Sequence, residues 1–221
     1  MSLTLHFHPL SSYCQKVLIA LYEAGTPFAP VIVNFADPES AAAFRKLWPV
    51  GKMPVLRDAD RDETVPESSI IIEYLNLHYP RGSALIPADR ETALRTRLAD
   101  RFYDLYVHDP MQRIVSDRLR PQDKKDPFGV AAAEAMLANS YDVIDAEMAG
   151  RTWATGDAFT LADCAAAPSL FYADWAHEIP PSCPQLRAYR ARLLVRPSFA
   201  RAVNEARPYR HFFPLGAPDR D

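Results

Sequence analysis

Ser11, Ser12, Tyr13 and Cys14 are the residues whose types and spacing suggest chemistry. They stand where an extended stretch gives way to a helical one. Leu3, Leu5 and Phe7 alternate with Thr4 and His6, the period of a half-buried strand, and Pro9 stops it. Cys14, Val17, Leu18, Leu21 and Tyr22 then recur on one helical face, and Gly25 stands where a left-handed helix end favours a residue without Cβ. The first N–H groups of a helix have no partner within it, and its dipole adds about half a positive charge there, so the place stabilises an anion such as a thiolate. A Cys-x-x-Cys pair so placed lowers a thiol pKa by this means. Here Ser11 replaces the first cysteine, which excludes a dithiol cycle within the tetrad. What remains is a hydroxyl able to donate to a thiolate supplied by another molecule. Taken alone, Ser11 or Ser12 is equally well an N-cap.

Composition narrows the function classes. The 221 residues suffice for one large or two ordinary domains with a substantial core. A net charge of −3 without long blocks of like charge argues against nucleic-acid or polybasic membrane binding. Cys14, Cys164 and Cys183 are too few, and odd in number, for a disulfide framework. No apolar run approaches the ~20 residues of a membrane span, and the N-terminus enters a strand without the pattern of a signal peptide. A soluble cytoplasmic protein is expected. Seven glycines form neither G-x-G-x-x-G nor a P-loop. His6 and His8 share a strand face but lack a ligand set around them, so no metal is expected.

The elements that must position the tetrad follow in order. A second strand is expected over 28–34 and a helix over 38–47, with Asp37 as N-cap, Pro38 in its first turn and Trp48-Pro49 ending it. Val50 to Leu56 reads as a strand entered through Pro54. Residues 58–62 form a polar turn, 63–66 a return strand and 70–78 a helix introduced by Glu67-Ser68-Ser69, giving β-α-β-α-β-β-α. Pro, Gly and Ser between 80 and 87 mark a boundary. Strand signals then vanish. One long helix is expected over 89–118, kinked or divided at Pro110, a second over 128–149, and a buried third over 160–173 that opens on Thr160 and Asp163 as a capping box and contains Pro168. Shorter helices are expected at 185–194 and 198–206, and a frayed tail at 217–221. No internal repeat is present.

In this order the residues resemble the cytosolic glutathione S-transferases. Ser11-x-x-Cys14-x-x-Val17 is similar to the serine-type segment of theta-like and zeta-like members. Gly51-Lys52-Met53-Pro54-Val55-Leu56 resembles the stretch around the family's cis-proline, Glu67-Ser68 before Ile70-Ile71-Ile72-Glu73-Tyr74-Leu75 its γ-glutamyl-binding turn, and Phe159 to Asp163 its helical-domain cap. The resemblance spans nearly the whole chain. It implies a thioredoxin-like α/β N-terminal domain (1–80), a linker (81–88) and an all-α helical C-terminal domain (89–221).

It also implies a function: activation of the glutathione thiol for attack on a small electrophile, with glutathione as co-substrate, in a homodimer. Ser11 is the first choice as donor to the thiolate and Ser12 the second, Tyr13 is a weaker candidate, and Cys14 is expected to be packed. Met53, before a cis Pro54, would offer its backbone to the cysteinyl part of glutathione. Glu67 would pair with the ammonium group and Ser68 would hold the α-carboxylate. Lys52 would meet a carboxylate, or else be an exposed turn residue. Leu10, Tyr103, Tyr106, Met111 and Phe212-Phe213 are candidate walls of the electrophile pocket. Asp100 and Asp104 would assist the amine, within the subunit or across the dimer, or form a solvated helix face. Arg45 and Lys46 are possible ligands of the glycyl carboxylate. Two alternatives accompany this reading. One is a maleylacetoacetate isomerase-like enzyme, against which Tyr13 stands where that class usually has cysteine. The other is a noncatalytic interaction module.

Overall fold

The alternating stretch forms β1 (Leu3–Phe7), with its apolar side chains buried, and the helical pattern after it forms α1 (Ser12–Ala24), closed by Gly25 at φ 60°. The computed structural model describes residues 2–82 and 84–221; Met1, in the expected first domain, and Ser83, in the expected linker, lie outside the described residues. The chain continues through β2 (Ala29–Ile32), α2 (Pro38–Leu47), β3 (Val55–Asp58), β4 (Glu63–Pro66) and α3 (Ser68–His78). The sheet order is β2-β1-β3-β4, with β1 parallel to β2 and antiparallel to β3. This is the expected α/β order. β2 is shorter than expected, and as an edge strand it leaves Val31 and Ile32 exposed. Asp37 caps α2 by accepting from the N–H groups of Glu39 and Ser40.

The remaining elements are helical: α4 (Arg90–Phe102), α5 (Asp109–Leu119), α6 (Pro127–Met148), α7 (Leu161–Ala176), α8 (Pro184–Leu194) and α9 (Pro197–Ala206). α7 is buried over nearly its whole length and packs on α1, which joins the two halves into one core. The capping box is present: the Thr160 N–H donates to Asp163 Oδ2 at 2.9 Å, while Asp163 Oδ1 accepts from Tyr189 Oη at 2.7 Å. Among the described residues no helix is long and apolar enough to cross a membrane.

Pro110 divides the long helix as expected, through a π-helical stretch at Tyr103–His108 that joins α4 to α5. Proline has no N–H for the carbonyl four residues back, that of Tyr106. The Ser140 hydroxyl of α6 lies 2.9 Å from that carbonyl and 2.8 Å from the Met136 carbonyl, so its one proton is shared between the two. The tail is not frayed: Asp221 pairs with Arg207 and Arg210, and Arg220 with Asp174.

Candidate active site

The loop between β1 and α1 is fastened from both sides. The Gln15 amide donates to the Pro9 carbonyl at 2.9 Å and to Tyr172 Oη of α7 at 3.0 Å, and the Ser11 N–H donates to the His8 carbonyl at 3.0 Å. Ser11 is the N-cap residue by its extended backbone, yet its side chain makes no capping hydrogen bond. The hydroxyl is thus not committed to the backbone of α1; its partner on the helix is the Cys14 thiol. Cys14 is fully buried, and burial pushes its thiol up to about 12, opposed only in part by Ser11 and the His8 backbone. It is a packed thiol, protonated at neutral pH.

Ser12 is differently engaged. Its Oγ is hydrogen-bonded to Nε2 of His108, which arrives from the end of the π-helical stretch. His108 is 4% exposed; burial, assisted by the Lys16 ammonium, takes its pKa down to about 3, so the ring is neutral. The Tyr13 ring packs against it with centroids 3.9 Å apart. Burial, with Asp104 close by, raises the Tyr13 phenol, which stays protonated.

Opposite this wall, the Met53–Pro54 peptide bond is cis. Pro54 is buried, Met53 half-buried and Lys52 exposed. Leu10, Ser11, Ser12, Lys52, Met53 and Met111 meet around one cavity of about 450 Å³, which Phe35, Gln112, Val115, Tyr172 and Phe213 also line. Its lining is mostly apolar, with two serine hydroxyls at one end, which suits a small apolar reactant beside a polar thiol carrier. Arg45 lies over the Phe35 ring, 5.8 Å from its centroid, near the mouth.

Glu67 and Ser68 stand next to this cavity rather than in its wall. Glu67 has φ 67° and its side chain caps nothing, so it is not a plain N-cap; its carboxylate is exposed while Ser68 is buried. A non-glycine residue held there costs of order 1–3 kcal/mol, which points to a role for the residue at that place. Ser69 carries the tether. Its hydroxyl donates to Asp100 Oδ2 at 2.8 Å and accepts from Lys16 Nζ at 2.9 Å and Arg101 Nη2 at 2.7 Å. Asp100 and Asp104 are neither a solvated face nor open to a ligand, because both are buried against the buried Lys16 ammonium.

Tyr103 and Tyr106 are not brought to the cavity. Tyr103 is buried beside Tyr189, and Tyr106 is 45% exposed. Of the two tail phenylalanines, Phe213 lines the cavity and Phe212 is exposed. His108 and Lys16 were missed by sequence reasoning. A lone histidine after a helical tyrosine carries no motif, although a lysine within the buried face of an amphipathic helix is a signal that could have been followed.

The chain is similar to known proteins. Residues 5–83 match the model of the glutathione S-transferase N-terminal domain, and residues 127–192 that of the C-terminal domain. A glutathione S-transferase-like protein, LUC7, from a Fusarium species is 33% identical over 150 residues, which are 67% of this chain and 64% of that protein, so the match spans less than two thirds of that relative. The glutathione S-transferase GstB of Escherichia coli K12 is 26% identical over 73% of this chain and 78% of that one. A crystal structure of a glutathione S-transferase from Methylobacillus flagellatus with glutathione bound superposes with a TM-score of 0.82, at 27% identity, over 91% of this chain and 98% of that one.

Proposed function

The chain belongs to the glutathione S-transferase family, and we propose that it is a serine-type transferase in which Ser11 donates a hydrogen bond to the thiolate of bound glutathione. The observation that carries this reading is the Ser11 hydroxyl: it stands at the N-terminus of α1, in the cavity wall, without a capping bond. A free thiol has a pKa near 8.5, and lowering it by two units takes about 2.7 kcal/mol of thiolate stabilisation. One charge-assisted hydrogen bond together with the helix N-terminus supplies that amount.

Met53, before its cis proline, offers backbone groups to the cysteinyl part of glutathione, Glu67 pairs with the ammonium group, and Ser68 with the start of α3 holds the α-carboxylate. Lys52 faces a carboxylate at the mouth. Leu10, Met111 and Phe213 contact the electrophile; Tyr103, Tyr106 and Phe212 leave the proposed pocket. The division into 1–80, 81–88 and 89–221 follows from the same reading. A cytoplasmic setting suits three buried free thiols. Exposed Ile70 and Leu77 of α3, beside exposed Leu94 and Leu98 of α4, suit the face of a homodimer.

The test is calorimetric titration with glutathione, followed by turnover with a panel of small electrophiles. Saturable binding of one glutathione per chain with turnover of at least one electrophile is expected. Binding without turnover of any would favour a noncatalytic module, and absence of binding would end the reading.

A further inference from the structure

The backbone that carries Ser11 into α1 is held at three consecutive residues, and His8 supplies two of the three bonds. The Pro9 carbonyl accepts from the Gln15 amide at 2.9 Å, the Leu10 N–H donates to His8 Nδ1 at 3.2 Å, and the Ser11 N–H donates to the His8 carbonyl at 3.0 Å. The direction of the middle bond is fixed. A backbone N–H can only donate, so Nδ1 carries its lone pair and the proton of the neutral ring sits on Nε2. Burial lowers the His8 pKa, which keeps that lone pair free at neutral pH. The ring is itself held in place. Tyr209, from the short turn at Arg207–Phe212, packs edge-on against it with centroids 4.9 Å apart. The tail that brings Phe213 to the cavity is thus seated on the same histidine as the loop that brings Leu10 and Ser11 there.

The Ser11 hydroxyl has no capping bond, and its partner on the helix is a thiol, a weak hydrogen-bonding group. Its place is therefore set by the backbone beneath it. A hydroxyl that serves a reacting atom has to be held within about 0.5 Å of its working position, and a displacement of about 1 Å can cost about a hundredfold in rate. We propose that His8 is a positioning residue, whose ring nitrogen Nδ1 fixes the Leu10–Ser11 backbone and through it the hydroxyl that meets the glutathione thiolate. This deepens the transferase reading and rests on it. His8 is not among the residues that line the cavity, so it acts through Ser11. Its carbonyl survives any substitution, which lets the part played by the ring be tested separately.

The experiment uses two variants of the full-length protein. His8→Leu removes the acceptor, and His8→Asn offers a side-chain carbonyl in the place of Nδ1. The absorbance of the bound glutathione thiolate is titrated against pH, and glutathione affinity is measured by calorimetry. His8→Leu is expected to raise the pKa of the bound thiol by about one unit, a tenfold loss of thiolate preference, while affinity changes little. His8→Asn is expected to bring the titration back toward that of the wild type. This rescue separates positioning from packing: leucine packs against Tyr209 better than asparagine does, so a ring needed only for packing would make His8→Asn the worse variant. If His8→Leu does not fold, His8→Gln, whose amide reaches the place of Nε2 instead, supplies the variant without the acceptor. An unshifted titration in the variant that lacks the acceptor overturns the proposal, as does a shift in His8→Asn as large as in that variant. Ser11→Ala, titrated beside them, tells the two failures apart. If it too leaves the curve unmoved, the serine reading has failed; if it moves the curve, only the role of His8 has.

Discussion

Lys16 of α1 places its ammonium 3.0 and 2.8 Å from the two carboxylate oxygens of Asp104, and 2.6 Å from Asp100 Oδ1, with all three residues buried. The pair ties the sheet half to the helical half just behind the Glu67–Ser68 turn. Burial raises the Asp104 pKa and Lys16 opposes that rise. Removing Lys16 leaves two adjacent buried carboxylates with only the half-exposed Arg101 as a cation partner, at a cost of about 3–5 kcal/mol. Lys16→Met is expected to lose that much in urea denaturation, and adding Asp104→Leu should recover part of it. A loss below about 1 kcal/mol in the single variant would mean that water reaches the carboxylates.

His108 makes stability fall on acidification. Its pKa goes from 6.5 to about 3 on folding, so between those values the unfolded chain binds the extra proton. Stability then rises with pH, by about 1.4 kcal/mol per unit for this group, is fully present above 6.5 and is lost toward 3. At pH 5 the native state should be weaker by about 2 kcal/mol than at pH 7 from this residue. His108→Gln removes the titration, so its denaturation midpoint should fall less between pH 7 and 5 than that of the wild type. Parallel pH profiles would show that the histidine is accessible to protons in the folded state.

What was legible in the sequence is what is local. Strand alternation in Leu3–Phe7, the N-cap at Asp37, the Thr160–Asp163 box and the place of Pro110 are each settled within a few residues, and each appears where the pattern puts it. Site residues that depend on helical phase fared worse. Pro110 creates a π-helical stretch, and across it the cavity face belongs to His108 and Met111 while Tyr103 and Tyr106 turn elsewhere. Pairings between distant residues left no local trace: Ser12 with His108 and Lys16 with Asp104 are 96 and 88 residues apart.

Glu67 offers a test that separates ligand binding from stability. Its backbone at φ 67° and ψ 117° is unfavourable for a side chain and less so for glycine, which lacks Cβ. Glu67→Gly is therefore expected to stabilise the fold by about 1 kcal/mol or more. The same change removes the proposed partner of the glutathione ammonium and should weaken binding by about 1.5–3 kcal/mol. Thermal denaturation and calorimetric titration of one variant read both effects. Affinity equal to that of the wild type in a stabilised Glu67→Gly would take Glu67 out of the site.

Ser11→Ala tests the hydroxyl on which the proposed function stands. Most glutathione contacts would come from Met53, Glu67 and Ser68, so affinity should change little. The pKa of the bound thiol should rise by roughly one to two units, the worth of one charge-assisted hydrogen bond of about 1.5–3 kcal/mol. The rate at neutral pH should then fall about tenfold or more and recover in part as pH rises, because hydroxide ionises the thiol in place of the serine. Ultraviolet absorbance of the bound thiolate against pH measures the shift directly, with Ser12→Ala and Cys14→Ala beside it. Cys14 is buried and its pKa is raised, so Cys14→Ala should leave the titration where it is. A curve that moves only in Ser12→Ala would give the thiolate to Ser12 in place of Ser11. Turnover abolished only in Cys14→Ala would replace the serine mechanism with a mixed disulfide through Cys14.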